Sequence, residues 1–286
     1  FKTVSAVKDR VIFTQTDVGE IAQASQKGWT PKGELRITPE EYMVRYLKVD
    51  KEIDPNELRQ TYLADYIPGA TAEENEIVRG FYRDMVVRAG EDTDVALING
   101  KYVAPTPGVP GPAINMVDGL KEIVKKFVDK GQITPFDSSD FDESNACEAL
   151  RELWKQIPER FRYSPKLRCY VFDGTWDMYR ENYDMTYGLL NVNNSTPTRI
   201  HNTSCEIVTL PHGGASNMVL FTIENNIRLI DNRPEELMKF EVQKNRRLLE
   251  FMMDWAAGMG IVVVGEPDVP ENQYVWCNEF DYIDVN

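Results

Sequence analysis

Hydrophobic and polar positions change period several times along this chain, and each change marks an element boundary. Lys8 to Thr16 alternates loosely and reads as extended, Gly28-Trp29-Thr30-Pro31-Lys32-Gly33 supplies turn chemistry, and Tyr42 to Val49 reads as a second extended run. Together they predict a long two-stranded arm. Its interior positions Asp17, Glu20, Gln23, Ser25, Gln26 and Lys27 are polar, so the arm gains nothing by folding on itself and is expected to need a partner surface. Asp54-Pro55 opens a short helix carrying Leu58, Tyr62 and Tyr66, and Pro68-Gly69 ends it. Thr71 and Glu74 then form a capping box, after which Ile77, Phe81, Met85 and Ala89 make one stripe beside Val78, Tyr82 and Val86. This predicts a helix over 72–99 stopped by Gly100, about 42 Å long at ~1.5 Å per residue. Gly80 and Gly90 inside it permit either a bend or a close neighbour, or are simply tolerated.

The stretch 104–112, APTPGVPGP, cannot hold continuous secondary structure and is the expected domain boundary. Beyond it, Leu120, Ile123, Val124, Phe127 and Val128 predict a helix that stops at Gly131. Asp142 to Ile157 predicts another, with Cys147, Leu150, Leu153, Trp154 and Ile157 on one face. Leu167 to Phe172 reads as a strand, with Asp173 capping a helix that bears Trp176, Tyr179 and Tyr183. Further strands are expected at Glu206 to Leu210, Met218 to Ile223, Ile227 to Ile230 and Ile261 to Val264, whereas Phe240 to Trp255 fits neither period throughout. The class is α+β.

Composition narrows the functions available. At 286 residues and 42% hydrophobic, the chain can bury one large core or two modest lobes, and two lobes are the expectation. A net charge of −14 disfavours a sequence-specific DNA binder, because phosphate neutralisation needs an excess of Lys and Arg. It does not argue against a protein that surrounds nucleic acid without sticking to it. No apolar run approaches the ~20 residues a membrane helix requires. The chain begins at Phe1 with no basic stretch followed by an apolar one, so no signal peptide is expected. Cys147, Cys169, Cys205 and Cys277 are scattered without a CxxC pair, which fits reduced thiols, and with only His201 and His212 beside them no zinc site is expected.

Candidate chemistry is thin. His212-Gly213-Gly214-Ala215-Ser216 is the nearest approach to a hydrolase site, yet it lacks the GxSxG elbow and reads more simply as a turn between strands. The acidic run Asp137, Asp140, Asp142, Glu143 and Glu148 misses the EF-hand positions and reads as carboxylates near a helix N-terminus. No nucleotide, metalloprotease or kinase motif is present, so no catalytic residue, cofactor or metal is assigned. Trp29, beside Pro31 and Gly33 at the tip of a polar arm, reads as an intermolecular anchor, with packing on its own domain as the alternative.

The order of these parts resembles the Hong Kong 97-type major capsid protein of tailed phages. The resemblance is carried by the extended start, the hairpin with its Trp-Thr-Pro-Lys-Gly tip and the return through Val49-Asp50-Lys51-Glu52-Ile53-Asp54. It continues in the long helix closing on Asp94-Val95-Ala96-Leu97-Ile98-Asn99-Gly100, the Pro/Gly crossing, and Asn115-Met116-Val117-Asp118-Gly119-Leu120 opening a helix. The strand and Trp-bearing helix at Cys169 to Tyr183 and the late run Asn245 to Val263 complete it.

What this implies is a Hong Kong 97-like capsid fold. It would have an N-terminal arm (1–10), an E-loop hairpin (11–48), and a peripheral domain (49–113 plus 235–255) with spine helix 72–99. An axial domain (114–234 plus 256–286) would follow. The implied function is a self-assembling shell of hexamers and pentamers that encloses double-stranded DNA, built in the host cytoplasm, with Lys27, Trp29, Pro31, Lys32 and Gly33 at the inter-subunit tip. Scaffold, protease, portal or decoration proteins are further partners it allows. An encapsulin-like nanocompartment shell would share the fold, and a cytosolic hydrolase is the reading from another class.

Overall fold

The computed structural model describes residues 1–5, 9–18, 20–54, 76–138, 141–188, 198–214, 216–231, 239–245, 248–265 and 272–280. The expected helix at 55–68 and the capping box at Thr71 lie outside these residues, as does the segment after Pro267 up to 271. After a short first strand β1 (Lys2–Ser5), strands β2 (Arg10–Val18) and β3 (Leu35–Met43) form a hairpin whose second strand lies earlier than the expected run, Tyr42 to Val49. They pair antiparallel from Arg10↔Met43 to Val18↔Leu35. The extended run expected over Tyr42 to Val49 is two strands, because Val44 breaks the ladder and donates its N–H to Asp9 O at 2.9 Å. Strand β4 (Arg45–Ile53) then leaves in a new direction, into a different sheet.

That sheet runs β1, β8 (Ile227–Asp231), β10 (Leu248–Ile261), β4, with β9 (Lys239–Asn245) also on β10. The stretch that fitted neither period is therefore a β9–β10 hairpin. Its 14-residue second strand pairs with β9 and β4 near its start and with β8 near its end, so no single burial period runs through it. No separate strand forms over Ile261 to Val264, because β10 itself runs to Ile261. Gly260 lets the hairpin's root close on β10, since a Cβ there would sit 2.9 Å from the Tyr42 ring.

The long helix, α1, spans Glu76–Asn99. Phe81 and Met85 pack with Ile53, Val242, Leu249 and Phe251, while its last turn buries Ala96, Leu97 and Ile98 in the main core. Gly100 ends it, its N–H bonded to Ala96 O at 2.7 Å. Gly80 and Gly90 have open space where a Cβ would stand, so neither serves a close neighbour among the described residues.

A second sheet, in the order β11 (Val275–Cys277), β7 (Val219–Ile223), β5 (Leu167–Phe172), β6 (Glu206–Leu210), is apolar on both faces. Alternation splits its residues between two cores. Leu167, Cys169, Val171, Val219, Phe221 and Trp276 face one cluster with Leu150, Leu153, Trp154 and Tyr179. Those come from α3 (Ala146–Gln156) and, beyond the short α4 (Glu159–Arg162), from α5 (Asp173–Tyr187). Tyr170, Phe172, Leu220, Val275 and Cys277 face the other cluster with Leu120, Val124 and Phe127 of α2 (Leu120–Asp129). Each fully buried aliphatic side chain here stabilises the fold by roughly 1.5–3 kcal/mol. Helix α2 stops at Gly131, which takes φ +72°, as its spacing predicts. Asp173 is not the cap of α5: Phe172 holds the extended N-cap position, and Asp173 is the first helical residue, acidic at the positive end of the helix dipole.

Candidate assembly surface

Because successive side chains of a strand point to opposite faces, the hairpin has an inner and an outer side. On the inner side Val11 and Phe13 pack against the main core, and Gln15 and Tyr42 are buried. Tyr42 donates its hydroxyl to Ile261 O at 2.7 Å and lies edge-on to Phe127. The outer side is different. Ile12, Val18, Leu35 and Ile37 are each more than half exposed, with Thr14, Thr16 and Pro39 between them. The arm is thus not a polar ribbon throughout: its root is seated on its own body, and an apolar stripe faces away from it. The missed signal was the alternation Ile12, Thr14, Thr16, Val18 against Leu35, Ile37, Pro39, which Thr and Pro dilute.

At the tip, Trp29 is 94% exposed. Gly28 and Gly33 take φ of +105° and +91°, a conformation that β-carbon-bearing residues rarely hold, and between them the chain turns. Lys32 folds back: its ammonium donates to Glu20 Oε1 at 2.8 Å and to Ala22 O at 2.7 Å. Gln23 Nε2 donates to Thr30 O at 2.7 Å. These bonds give the tip internal order and leave Lys27, Trp29 and Pro31 turned to solvent, with Lys32 occupied within the tip rather than pointing outward. A tryptophan of this kind buries 150–250 Å² when covered, a large apolar area to leave in water.

Elsewhere, helix α1 presents Arg83, Asp84, Val87, Arg88, Glu91 and Asp94 on its exposed side. Arg88 bridges to Glu91 at 3.2 Å and Asp92 at 2.9 Å. The segment 103–112 is exposed at every residue and carries no charged side chain.

The residues weighed for catalysis do not assemble. His212 sits at φ +64° on an exposed turn and Ser216 is buried, its Oγ accepting the Met218 N–H at 3.4 Å. No hydrogen bond joins the His212 and Ser216 side chains among the described residues. The turn is pinned instead: Asn99 Nδ2 donates to His212 O at 2.5 Å and Lys121 Nζ to Gly213 O at 2.8 Å. Lys121 is only 6% exposed, lies 4.6 Å over the Phe172 ring, and burial pushes its ammonium down to about 8. Nothing in its spacing marked it.

Asp142 accepts from the Ser144 hydroxyl and N–H and from the Asn145 N–H, and these bonds hold its carboxylate below the ordinary range. That is a helix-entry turn leading into α3. All four cysteines are buried free thiols raised by desolvation, and no group of three or more His, Cys, Asp or Glu among the described residues could hold a metal.

No protein-family model and no curated relative matches the chain. Solved structures do. The chain is similar to the capsid of an empty GTA particle, with a TM-score of 0.58 at 12% identity over 97% of this chain and 86% of that one. It is also similar to a chain of the satellite phage P4 procapsid, with a TM-score of 0.54 at 14% identity over 96% and 91% of the two chains. The capsid of Myoviridae phage XM1 gives 0.54 at 11% identity over 94% and 85%. The chain has the α+β fold of these capsid proteins across nearly its whole length.

Proposed function

We propose that this chain is a structural shell subunit, a major capsid protein that assembles into hexamers and pentamers of an icosahedral particle around double-stranded DNA in the host cytoplasm. The observation that carries the reading is the hairpin, whose outer stripe of Ile12, Val18, Leu35 and Ile37 and its Trp29 tip stand uncovered, Trp29 being the most exposed large apolar side chain among the described residues. Such a surface fits a neighbouring copy, and a contact between two different patches repeats until curvature closes it. Many moderate contacts then hold each subunit.

The tip residues Lys27, Trp29, Pro31, Lys32 and Gly33 form the inter-subunit end of this hairpin, which crosses the neighbour's α1, with Lys27 toward that helix's carboxylates. In this reading residues 49–113 plus 235–255 make the peripheral domain and 114–234 plus 256–286 the axial domain. The acidic balance of −14 suits a wall that does not adhere to its contents. The work of the chain lies in surfaces, without an enzymatic step.

Expression followed by size-exclusion chromatography and negative-stain microscopy tests this. Closed particles are expected from the full chain, and folded subunits without particles from Trp29→Ala or deletion of 27–34. Normal particles after the deletion remove the hairpin's role, and nucleic acid rather than one enzyme inside extracted particles separates a virus shell from a nanocompartment.

A further inference from the structure

Beneath the hairpin lies a polar seam that packing alone does not require. Nearest the pivot formed by Asp9 and Val44, the contact is apolar, with Phe13 and Tyr42 rings 5.6 Å apart against the body. Farther out it changes character. Glu40 accepts from Gln132 Nε2 at 2.6 Å and pairs with Lys130 at 3.5 Å, both beyond the end of α2. Gln15 Oε1 accepts the Gly265 N–H at 3.2 Å. Two further groups in the same seam are buried and unpaired among the described residues, Gln15 Nε2 on the hairpin and Gln132 Oε1 on the body. One is a donor and the other an acceptor, carried on opposite walls by side chains 7% and 6% exposed.

We infer that this seam is a releasable latch, with Glu40 as its positioning residue: it sets the angle of the hairpin on the free subunit and lets the hairpin swing about residues 9 and 44 when a neighbour pulls on the tip. An apolar seam of equal area would fix the hairpin outright. A fully satisfied polar one would also resist opening, because each bond broken would only be exchanged for one to water, with no buried unsatisfied group relieved. Here two groups lack partners already, so opening the seam to water satisfies them and offsets part of what the Glu40 bonds contribute. Presetting the angle limits the ordering loss when the neighbour binds. The inference rests on the shell reading for its purpose, but the latch itself belongs to the free subunit.

The test is hydrogen exchange on the unassembled chain, read at Val44 and Gly265, whose amides donate across the root. Glu40→Ala is expected to speed exchange at both by about tenfold or more, the loss of a charge-assisted hydrogen bond, while amides of β5 and β7 keep their rates. Glu41→Ala is the control: it removes a carboxylate one residue away that faces outward and pairs with Arg10 at 3.1 Å, and no change is expected. Should Glu40→Ala unfold the chain, Glu40→Gln, which keeps the shape and loses the Lys130 pairing, carries the same expectation.

Spin labels on Ser25→Cys and Lys155→Cys, both exposed sites, give a second readout. Their distance distribution should be narrow in the parent and in Glu41→Ala and broad in Glu40→Ala. Equal exchange in the Glu40 and Glu41 variants, or equally narrow distances, overturns the latch. Loss of particles with the latch intact would instead count against the shell reading.

Discussion

Alkaline pH sets two groups of buried side chains against each other, and the balance can be worked from their surroundings. Lys121 is charged at neutral pH inside the protein, and burial lowers its ammonium from 10.5 to about 8. A lowered folded value means the charged form is disfavoured on folding. The penalty is complete below about 8 and is relieved as pH rises toward 10.5, so between pH 7 and 10 this site alone stabilises by about 2 to 3 kcal/mol.

The thiols run the other way. Cys147, Cys169, Cys205 and Cys277 are raised above 9.0 by desolvation, three of them to about 12, so above pH 9 the unfolded chain ionises and the folded one does not. At pH 10 each of the three raised to about 12 favours unfolding by about 1 to 2 kcal/mol, and Cys169, raised further by full burial, acts in the same direction, so the four together cost about 6 kcal/mol. Tyr42 and Tyr179, also raised by burial, add to the loss only from about pH 10. Stability should therefore hold nearly level from pH 7 to 9 and fall by about 3 kcal/mol by pH 10. Urea unfolding of the reduced subunit at each pH measures this. In Lys121→Met the level stretch should vanish, with stability declining from about pH 8.5 and the difference between the two moving in the parent's favour by about 2 to 3 kcal/mol from pH 7 to 10. A gap that stays constant across that range refutes the buried-charge argument, and no fall above pH 9 refutes the thiol argument.

Two perturbations of packing follow. Gly213→Ala places a Cβ 2.0 Å from Phe172 Cγ, so the turn held by Lys121 and Asn99 must shift, with an expected loss of about 2 kcal/mol or more by thermal or urea unfolding. Trp29→Ala, which touches almost nothing on its own chain, should leave the subunit's melting temperature within about a degree of the parent. Truncating an anchor of ~200 Å² should raise the concentration at which particles form, followed by light scattering, by about a hundredfold, equivalent to about 2.8 kcal/mol per contact.

Much of the fold was legible because its signals are local. Leu167–Phe172 announces a buried strand as a continuous apolar run, and Leu120–Asp129 announces a helix by its stripe and by Gly131. What escaped depends on residues far apart. The break at Val44 is made by Asp9, and the division of 239–261 into two strands follows from three partner strands meeting β10 at different places. The tip of the hairpin could be read from Trp29 between turn residues. Its outer stripe could not be separated from a buried face, since alternation says that a strand has two sides and not which one meets the body. Lys121 stayed hidden for the same reason: its burial is decided by Gly213, 92 residues away.

An exposed stripe on a projecting hairpin admits two modes of association, and they predict different end points. If two hairpins meet stripe to stripe about a two-fold axis, each satisfies the other and association stops at a dimer. If each lies on another part of its neighbour, every subunit keeps one donor and one acceptor, and association continues until it closes. Apolar area favours the second. Stripe against stripe, the middle of the hairpin would bury Thr14, Thr16 and Pro39 for little apolar gain. A mixing experiment separates the two. Subunits lacking 27–34 keep their acceptor surface, so in the donor–acceptor mode they bind the hairpins of intact subunits, end the growing edge, and suppress particle formation in proportion to their share of the mixture. In the two-fold mode the deleted subunits keep the stripe, which lies outside 27–34, and pair through it with each other and with intact subunits, so dimers are the end point with or without them; that outcome would refute the donor–acceptor assignment of the hairpin.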